Sequence, residues 1–262
     1  MDILQVCPRY HPYIGGVEEH VKNISERLTK SHNVSVFTTD PSGKLPKAEV
    51  INNVQVQRFK SWAPSEAYYF SRTLKKSLKQ NSACYNIVHA HSYHAFPALY
   101  AAQATKESKL FFTPHYHGTG HTFLRELLHR PYRFLGKKIF EKANRVVCVS
   151  NYERELVTNS FEIDEKKISV IPNGINLEEF KGLEKQSKDY KTILYVGRLE
   201  KYKGIHYLIE ALQKVDDEFV LEIVGKGAYK NQLLQRARRL ELVDRVTFFQ
   251  DLSRTELLQK YA

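Results

Sequence analysis

Short apolar runs alternate with amphipathic segments along the whole 262-residue chain, and this alternation limits the fold more than any other feature. Residues 3–7 make the first run. Pro8, Pro12, Gly15 and Gly16 follow, and then Val17, Val21, Ile24 and Leu28 recur at helical spacing. The cycle repeats, with strands expected over 34–38, 54–59, 87–90, 110–113, 146–149 and 168–171. Helices are expected between them over 66–79, 95–105, 122–142 and from Tyr152. Parallel neighbours need a crossover long enough to hold a helix, so this order predicts an α/β fold whose mostly parallel sheet is covered on both faces.

Past Pro172, Asn173 and Gly174, residues 181–190 (KGLEKQSKDY) are polar and lack a periodic apolar face, which reads as a linker. A second unit then starts, with strands expected over 193–196, 219–224 and 245–249 and helices over 204–215, 229–240 and from Ser253. Two α/β domains are therefore expected, over 1–180 and 191–262. The second holds only three expected strands before Ala262, which predicts a fold cut in its middle.

A 42% hydrophobic content is enough for a buried core. No run of about 18 apolar residues occurs, and MDILQVC enters a strand pattern directly, so the expected location is cytoplasmic. Cys7, Cys84 and Cys148 are odd in number and far apart, and Cys7 and Cys148 sit inside apolar strand-like runs, which favours buried thiols over disulfides. A net charge of +11 favours an anionic partner: nucleic acid, an acidic membrane face or a phosphorylated small molecule. No nucleic-acid-binding module is recognisable, so nucleic acid is not the expected partner.

In an open parallel sheet, ligands sit outside the carboxyl ends of the strands, so residues just past each strand carry the candidates. Tyr13, Gly15, Gly16 and Glu18 follow the first strand, where adjacent glycines admit a ligand and the next helix offers free N–H groups to an anion. His89, His91 and His94 follow another strand, and His115, His117 and His121 the next. His89 and His91 share a strand face and reach a metal in principle, but no acidic or thiolate partner accompanies them, so hydrogen bonding to a polar substrate is preferred and no metal is expected. In YVGRLEKYKG, Arg198 lies directly after a strand and Lys203 before a helix, an arrangement suited to a diphosphate. Gly225, Lys226 and Gly227 open another helix through glycines.

The segments Pro12 to Glu18, His91, Thr113-Pro114-His115, Val149-Ser150, Pro172-Asn173-Gly174-Ile175, Gly197-Arg198-Leu199 with Lys203-Gly204, and Gly225-Lys226-Gly227 occur in an order that resembles family 4 retaining glycosyltransferases of the B fold. The resemblance implies two facing Rossmann-like domains: an acceptor-side domain over 1–180, a linker over 181–190, and a partial nucleotide-sugar domain over 191–262. It places Gly15 and Gly16 against the donor phosphate and Arg198 and Lys203 on the leaving diphosphate, and His115 beside the transferred sugar. Asn173, Gly174, Gly225, Lys226 and Gly227 fall on the donor side. Tyr13, Glu18, His91 and His117 fall on the acceptor side. The implied donor is a UDP- or GDP-sugar, the acceptor a hydroxyl of a lipid, saccharide or small molecule, and no cofactor is implied. Family members also carry two glutamates later in the second domain; Glu241 and Glu256 lie too early to match them.

Two basic and aromatic segments bear on an anionic membrane surface as a further partner, at the inner face of the cell membrane. One runs from Arg58 through Trp62, Tyr68 and Phe70 to Lys79, and the other is the helix over 122–142 with Arg125, Arg130, Arg133, Lys137, Lys138 and Lys142. A core-facing stripe with a solvated basic side explains both equally simply and is preferred. Rival readings are a sugar-nucleotide epimerase, a sugar-nucleotide- or acceptor-binding protein without turnover, a basic nucleic-acid-binding protein, and a dinucleotide oxidoreductase. The last lacks G-x-G-x-x-G and has only Asp40 to end the second strand.

Overall fold

A computed structural model describes residues 1–64, 68–118, 123–184 and 190–262, with side chains described outside 119–131. The chain forms two compact units, Met1–Asn173 and Gly174–Ala262.

The first unit opens with β1 (Asp2–Cys7), α1 (Gly16–Leu28), β2 (Asn33–Asp40), β3 (Ala48–Ile51) and β4 (Val54–Lys60). It continues through α2 (Arg72–Asn81), β5 (Ile87–His91), α3 (Phe96–Ala104), β6 (Lys109–Thr113), α4 (Phe123–Lys142), β7 (Arg145–Cys148), α5 (Asn151–Phe161) and β8 (Ile168–Val170). The sheet order is β3-β4-β2-β1-β5-β6-β7-β8. Its pairs are parallel apart from β3 with β4. Central strands are apolar because both faces are covered. Leu4, Val6, Val88, Ala90, Leu110 and Phe112 pack with α3 on one face, and Cys7, Val34, Val36, Val54 and Val56 pack with Val21 of α1 on the other. Helix α3 (FPALYAAQA) is apolar nearly all round and accordingly buried nearly all round.

Strand β3 is absent from the sequence reading. It lies at the sheet edge with alternate residues exposed, and joins β4 through Asn52 and Asn53, both at positive φ (48° and 65°) as a two-residue hairpin requires. Helix α2 starts at Arg72 and not at residue 66. Ser71 caps it, accepting from the Leu74 N–H at 3.3 Å, and Trp62 pairs with Phe70 as extended chain just before it. Residues 65–67, on which the early start fell, lie outside the described residues.

The basic segments divide as amphipathic helices do. Helix α2 buries Leu74 and Leu78 and exposes Lys76 and Lys79, while the described part of α4 buries Tyr132, Ile139 and Phe140 and exposes Arg133, Lys138 and Lys142. Gly136 lets α4 lie on Tyr93, since a Cβ there would come within 2.2 Å of that ring. Arg58 is buried, paired with Glu49 of β3 and donating to the His11 carbonyl at 2.6 Å, so it faces the interior and no membrane. Trp62 remains exposed and stacks on Phe70 at 5.5 Å. The side chains of Arg125 and Arg130 lie outside the described residues, and no described helix is long and apolar enough to cross a membrane.

The second unit contains β9 (Lys191–Val196), α6 (Ile205–Leu212), β10 (Phe219–Val224), α7 (Lys230–Arg239), β11 (Val246–Phe249) and α8 (Arg254–Tyr261). Its parallel sheet has the order β11-β10-β9. Ile205, Ile209 and Leu212 recur at helical spacing and pack with Leu221, Ile223, Leu233 and Ala237. Residues 174–180, expected in the first domain, go with this unit. The Arg254 guanidinium donates to Glu179 at 2.8 and 2.5 Å, and Phe180 meets the Tyr261 ring at 6.1 Å. Residues 185–189 of the expected linker lie outside the described residues.

Candidate functional site

In the large sheet, β1 lies between β2 and β5, so the chain runs outward from the centre in both directions. Strand order reverses there, and the crevice outside the carboxyl ends of β1 and β5 is where such sheets take ligands. The residues that leave β1, β5 and β6 at that edge are the loop 8–15, His91 and the turn containing His115.

The loop after β1 passes through a cis His11–Pro12 bond and ends at Gly15, the residue before α1, with no side chain capping the helix. Nothing lies within 4 Å of a Cβ at Gly16, whereas one at Gly15 would meet the Glu18 carboxylate at 2.3 Å. Glu18 is itself buried and accepts from Arg9 Nε at 2.8 Å, and Arg9 lies over the rings of Tyr13 and Tyr69 at 5.3 and 5.9 Å. The Tyr13 hydroxyl donates to Asp40 at 2.7 Å. Tyr13 and Glu18 thus shape this loop from below. Burial of Asp40 opposes its ionisation, but hydrogen bonds from Ser42, Tyr13 and the Leu45 N–H outweigh it and hold the carboxyl at about 2. Asp40 is occupied in fixing the loop after β2, which removes the one acidic residue that a dinucleotide reading had available.

The histidines converge. His20, on α1, meets the His115 ring at 4.9 Å and the His91 ring at 5.6 Å, and His91 and His115 stack at 5.9 Å. His91 is fully buried with Nε2 on the Gln5 amide oxygen at 2.7 Å, and His89 is held by Thr113 at 2.8 Å. Asn173 accepts a hydrogen bond from His20. Desolvation, then the neighbouring imidazoles, lowers His89 and His115 to about 3 and His91 well below its ordinary 6.5, while desolvation lowers His20 against an opposing hydrogen bond with Asn173. His115 sits at φ 48°, in the left-handed region that is strained for a residue with a side chain. Its turn is fixed by Glu153 of α5, buried and accepting from the Tyr116 and Val149 N–H groups at 2.6 Å each. His117 is exposed, and His121 lies outside the described residues.

In the second unit, Arg198 leaves β9 and Lys203 ends the turn before α6, with Gly204 at φ 71° between them and the helix. Arg198 donates to the Tyr202 hydroxyl at 2.8 Å, and Lys203 Nζ lies 5.3 Å from the centre of the same ring. The two cations are therefore gathered about one exposed tyrosine. Gly225 and Gly227 have a packing role. A Cβ on Gly225 would stand 1.9 Å from the Gly197 carbonyl oxygen, and one on Gly227 2.2 Å from that of Leu199, so these glycines let the loops after β9 and β10 pack together. Leu199 N–H donates to Lys226 O at 2.8 Å across that contact. The Lys226 ammonium is paired with Asp251, and Gly174 has open space around it.

His20, Gln5 and Glu153 were not singled out by sequence reasoning. His20 had a weak signal, two residues past Glu18 on the helix that follows the glycine loop. Glu153 had a better one, since Ser150-x-x-Glu153 is a helix-start pattern and Ser150 does cap α5.

Comparison with known proteins covers the chain from end to end. The profile of Glycosyltransferase Family 4 matches residues 14–179 and that of Glycosyl transferases group 1 matches residues 177–262. An uncharacterised glycosyltransferase of Methanocaldococcus jannaschii is 25% identical over 268 residues, covering 90% of this chain and 66% of that one. Glycogen synthase of Mycobacterium tuberculosis is 28% identical over 288 residues, covering 98% and 69%. The chain thus spans about two thirds of the length of these relatives. Among solved structures, sucrose-phosphate synthase from Thermosynechococcus elongatus superposes with a TM-score of 0.75 at 21% identity, over 99% of this chain and 72% of that one. Anabaena HepE in complex with UDP and glucose gives 0.74 at 17%, over 99% and 71%.

Proposed function

Because the chain belongs to Glycosyltransferase Family 4, we propose that it takes part in moving a sugar, with retention of anomeric configuration, from a UDP- or GDP-sugar to an acceptor hydroxyl. The observation that carries this reading is the pairing of Arg198 and Lys203 about Tyr202 at the carboxyl end of β9, within the segment matched by Glycosyl transferases group 1. The UDP bound in the Anabaena structures agrees in ligand class.

In the proposed step, the bond from the anomeric carbon to the diphosphate oxygen breaks with its electron pair leaving on oxygen. The acceptor oxygen attacks from the same face, and its proton passes to the departing diphosphate. No side chain needs to form a covalent intermediate. Charge grows on the leaving oxygens, and fixed cations stabilise it most where it grows most. Arg198 supplies a planar fork and Lys203 a point charge, so no metal is needed for this task. In the first unit the free N–H groups at the start of α1 suit the donor phosphate, and the neutral His115 suits a sugar hydroxyl because it donates or accepts without carrying charge.

Calorimetric titration with UDP and with GDP tests the reading. One of the two is expected to bind, and Arg198→Ala and Lys203→Ala are each expected to cut transfer at least about a hundredfold, on the order of 3 kcal/mol of barrier. Both side chains lie at the surface, so the melting temperature is expected to stay put. Transfer at near-parental rates in both variants would overturn the assignment.

A further inference from the structure

His20, His91 and His115 come from three separate elements, yet one ring nitrogen of each lies within 4.8 Å of the others. Each also keeps a buried ring nitrogen without a hydrogen-bond partner: Nε2 of His20, Nδ1 of His91 and Nε2 of His115. A buried polar atom left unpaired is costly, and each of the three clustered rings carries one, which asks for a common ligand. The opposite side of the His91 ring is already fixed, and His20 has a hydrogen bond with Asn173. Gln5 accepts from His91 Nε2 at 2.7 Å, which leaves the Nδ1 lone pair free. An outer hydrogen bond that sets the tautomer and aims the other nitrogen is the usual support of a metal-binding imidazole. His89 stands apart, because its Nε2 is taken by Thr113.

We propose that His20, His91 and His115 form a three-histidine site for a divalent transition metal such as Zn²⁺ or Co²⁺, with a fourth position left for water. Three neutral imidazoles suit metals of intermediate softness and offer little to Mg²⁺ or Ca²⁺, which prefer oxygen. A tetrahedral zinc with Zn–N of about 2.0–2.1 Å keeps its nitrogens about 3.4 Å apart, so modest side-chain rotation closes the set. The metal ties α1 to the ends of β5 and β6. On the reading that His115 touches the donor sugar, it also withdraws that imidazole and acts as an inhibitor, not a cofactor.

The test is calorimetric titration of the whole chain with zinc chloride, and separately with cobalt chloride, in the absence of any sugar nucleotide, so that its outcome is independent of the UDP and GDP titrations. One equivalent of each metal is expected to bind, Co²⁺ with the intense visible absorption of a tetrahedral site, and magnesium chloride is expected to give no heat. His20→Gln and His115→Gln are each expected to weaken Zn²⁺ at least about tenfold, while His206→Gln in the second unit leaves it unchanged. Circular dichroism shows whether the variants are folded. Folded variants that bind Zn²⁺ like the parent would overturn the site. So would a parent chain that takes up less than one equivalent, or one that gives the weak spectrum of octahedral Co²⁺, and these two readings stand even if a variant fails to fold.

Discussion

The two units put candidate site residues at the same place, past the carboxyl ends of parallel strands, but prepare them in opposite ways. The first gathers imidazoles that are uncharged and at least half-buried, with His91 fully enclosed and His115 held at about 3. The second leaves Arg198 and Lys203 at the surface about Tyr202, itself 46% exposed. Burial is tolerable for a group that can discard its charge, and a histidine does so by losing a proton. Arginine cannot, and a lysine that did would lose its use against a diphosphate, so cations intended for an anion stay in water until the anion arrives. The neutral side suits hydroxyls and the cationic side suits phosphates.

Acid should separate the units most strongly. In the unfolded chain the histidines take up protons near 6.5, while in the folded chain His89 and His115 do so only at about 3 and His20 and His91 below their ordinary value. The unfolded state therefore binds more protons below 6.5, and stability falls as pH drops through that window by about 1.4 kcal/mol per pH unit for each of His89 and His115, with His20 and His91 acting in the same direction. Glu153, raised by burial, acts in the opposite direction as one group against several, and Asp40 adds its loss only below 3.8. The second unit contains a single histidine, His206. Denaturant titrations at about pH 7 and about pH 5 are expected to move the midpoint of the first unit by much more than that of the second. Replacement of His89 by Gln, which can still bond Thr113, is expected to flatten the dependence. Equal movement of both units would break the comparison.

The sequence announced this contrast only in part. Arg198 and Lys203 were legible because a cation directly after a strand and another before a helix is a one-dimensional pattern. The histidine cluster was not, since His20, His91 and His115 are separated by 71 and 24 positions and meet only when β1, β5 and β6 lie side by side. The pair noticed on one strand face, His89 and His91, proves to point to different partners, Thr113 and Gln5. Gly225 and Gly227 show a packing role that a sequence motif does not reveal. A glycine-rich strand end looks the same whether the glycines admit a phosphate or another loop, and only the close approach of Gly197 and Leu199 tells them apart. Strand β3 was missed because AEVI is short and half polar, although the Asn52-Asn53 turn after it was available.

A smaller effect is expected from the residue that positions His115. Glu153 accepts two backbone N–H bonds in a buried setting, and Glu153→Gln keeps one acceptor while placing an amide N–H against the other donor. A buried donor left unpaired costs about 1–3 kcal/mol. The turn carrying His115 should loosen, so transfer is expected to fall about tenfold through kcat, with nucleotide affinity much less affected because the proposed Arg198 and Lys203 contacts lie in the second unit. An effect on UDP or GDP binding instead of on kcat would show that the division of labour between the units is wrong.

The mildest perturbation is the most informative about how exposure sets cost. Tyr202 plays toward Arg198 the part that Glu153 plays toward the His115 turn: it accepts one hydrogen bond, at 2.8 Å, and holds the guanidinium in place. Tyr202→Phe removes that bond but keeps the ring beside Lys203. Because both partners are exposed, water replaces the lost hydroxyl and no group is left unpaired, so the expected cost is about 0.5–1 kcal/mol, roughly threefold in nucleotide affinity. Tyr202→Ala also removes the ring from under Lys203 and should cost more, about tenfold. The melting temperature should not change in either. Were Tyr202→Phe to weaken binding as severely as Arg198→Ala, the tyrosine hydroxyl would have to touch the nucleotide itself, and the cations would no longer account for recognition in the second unit.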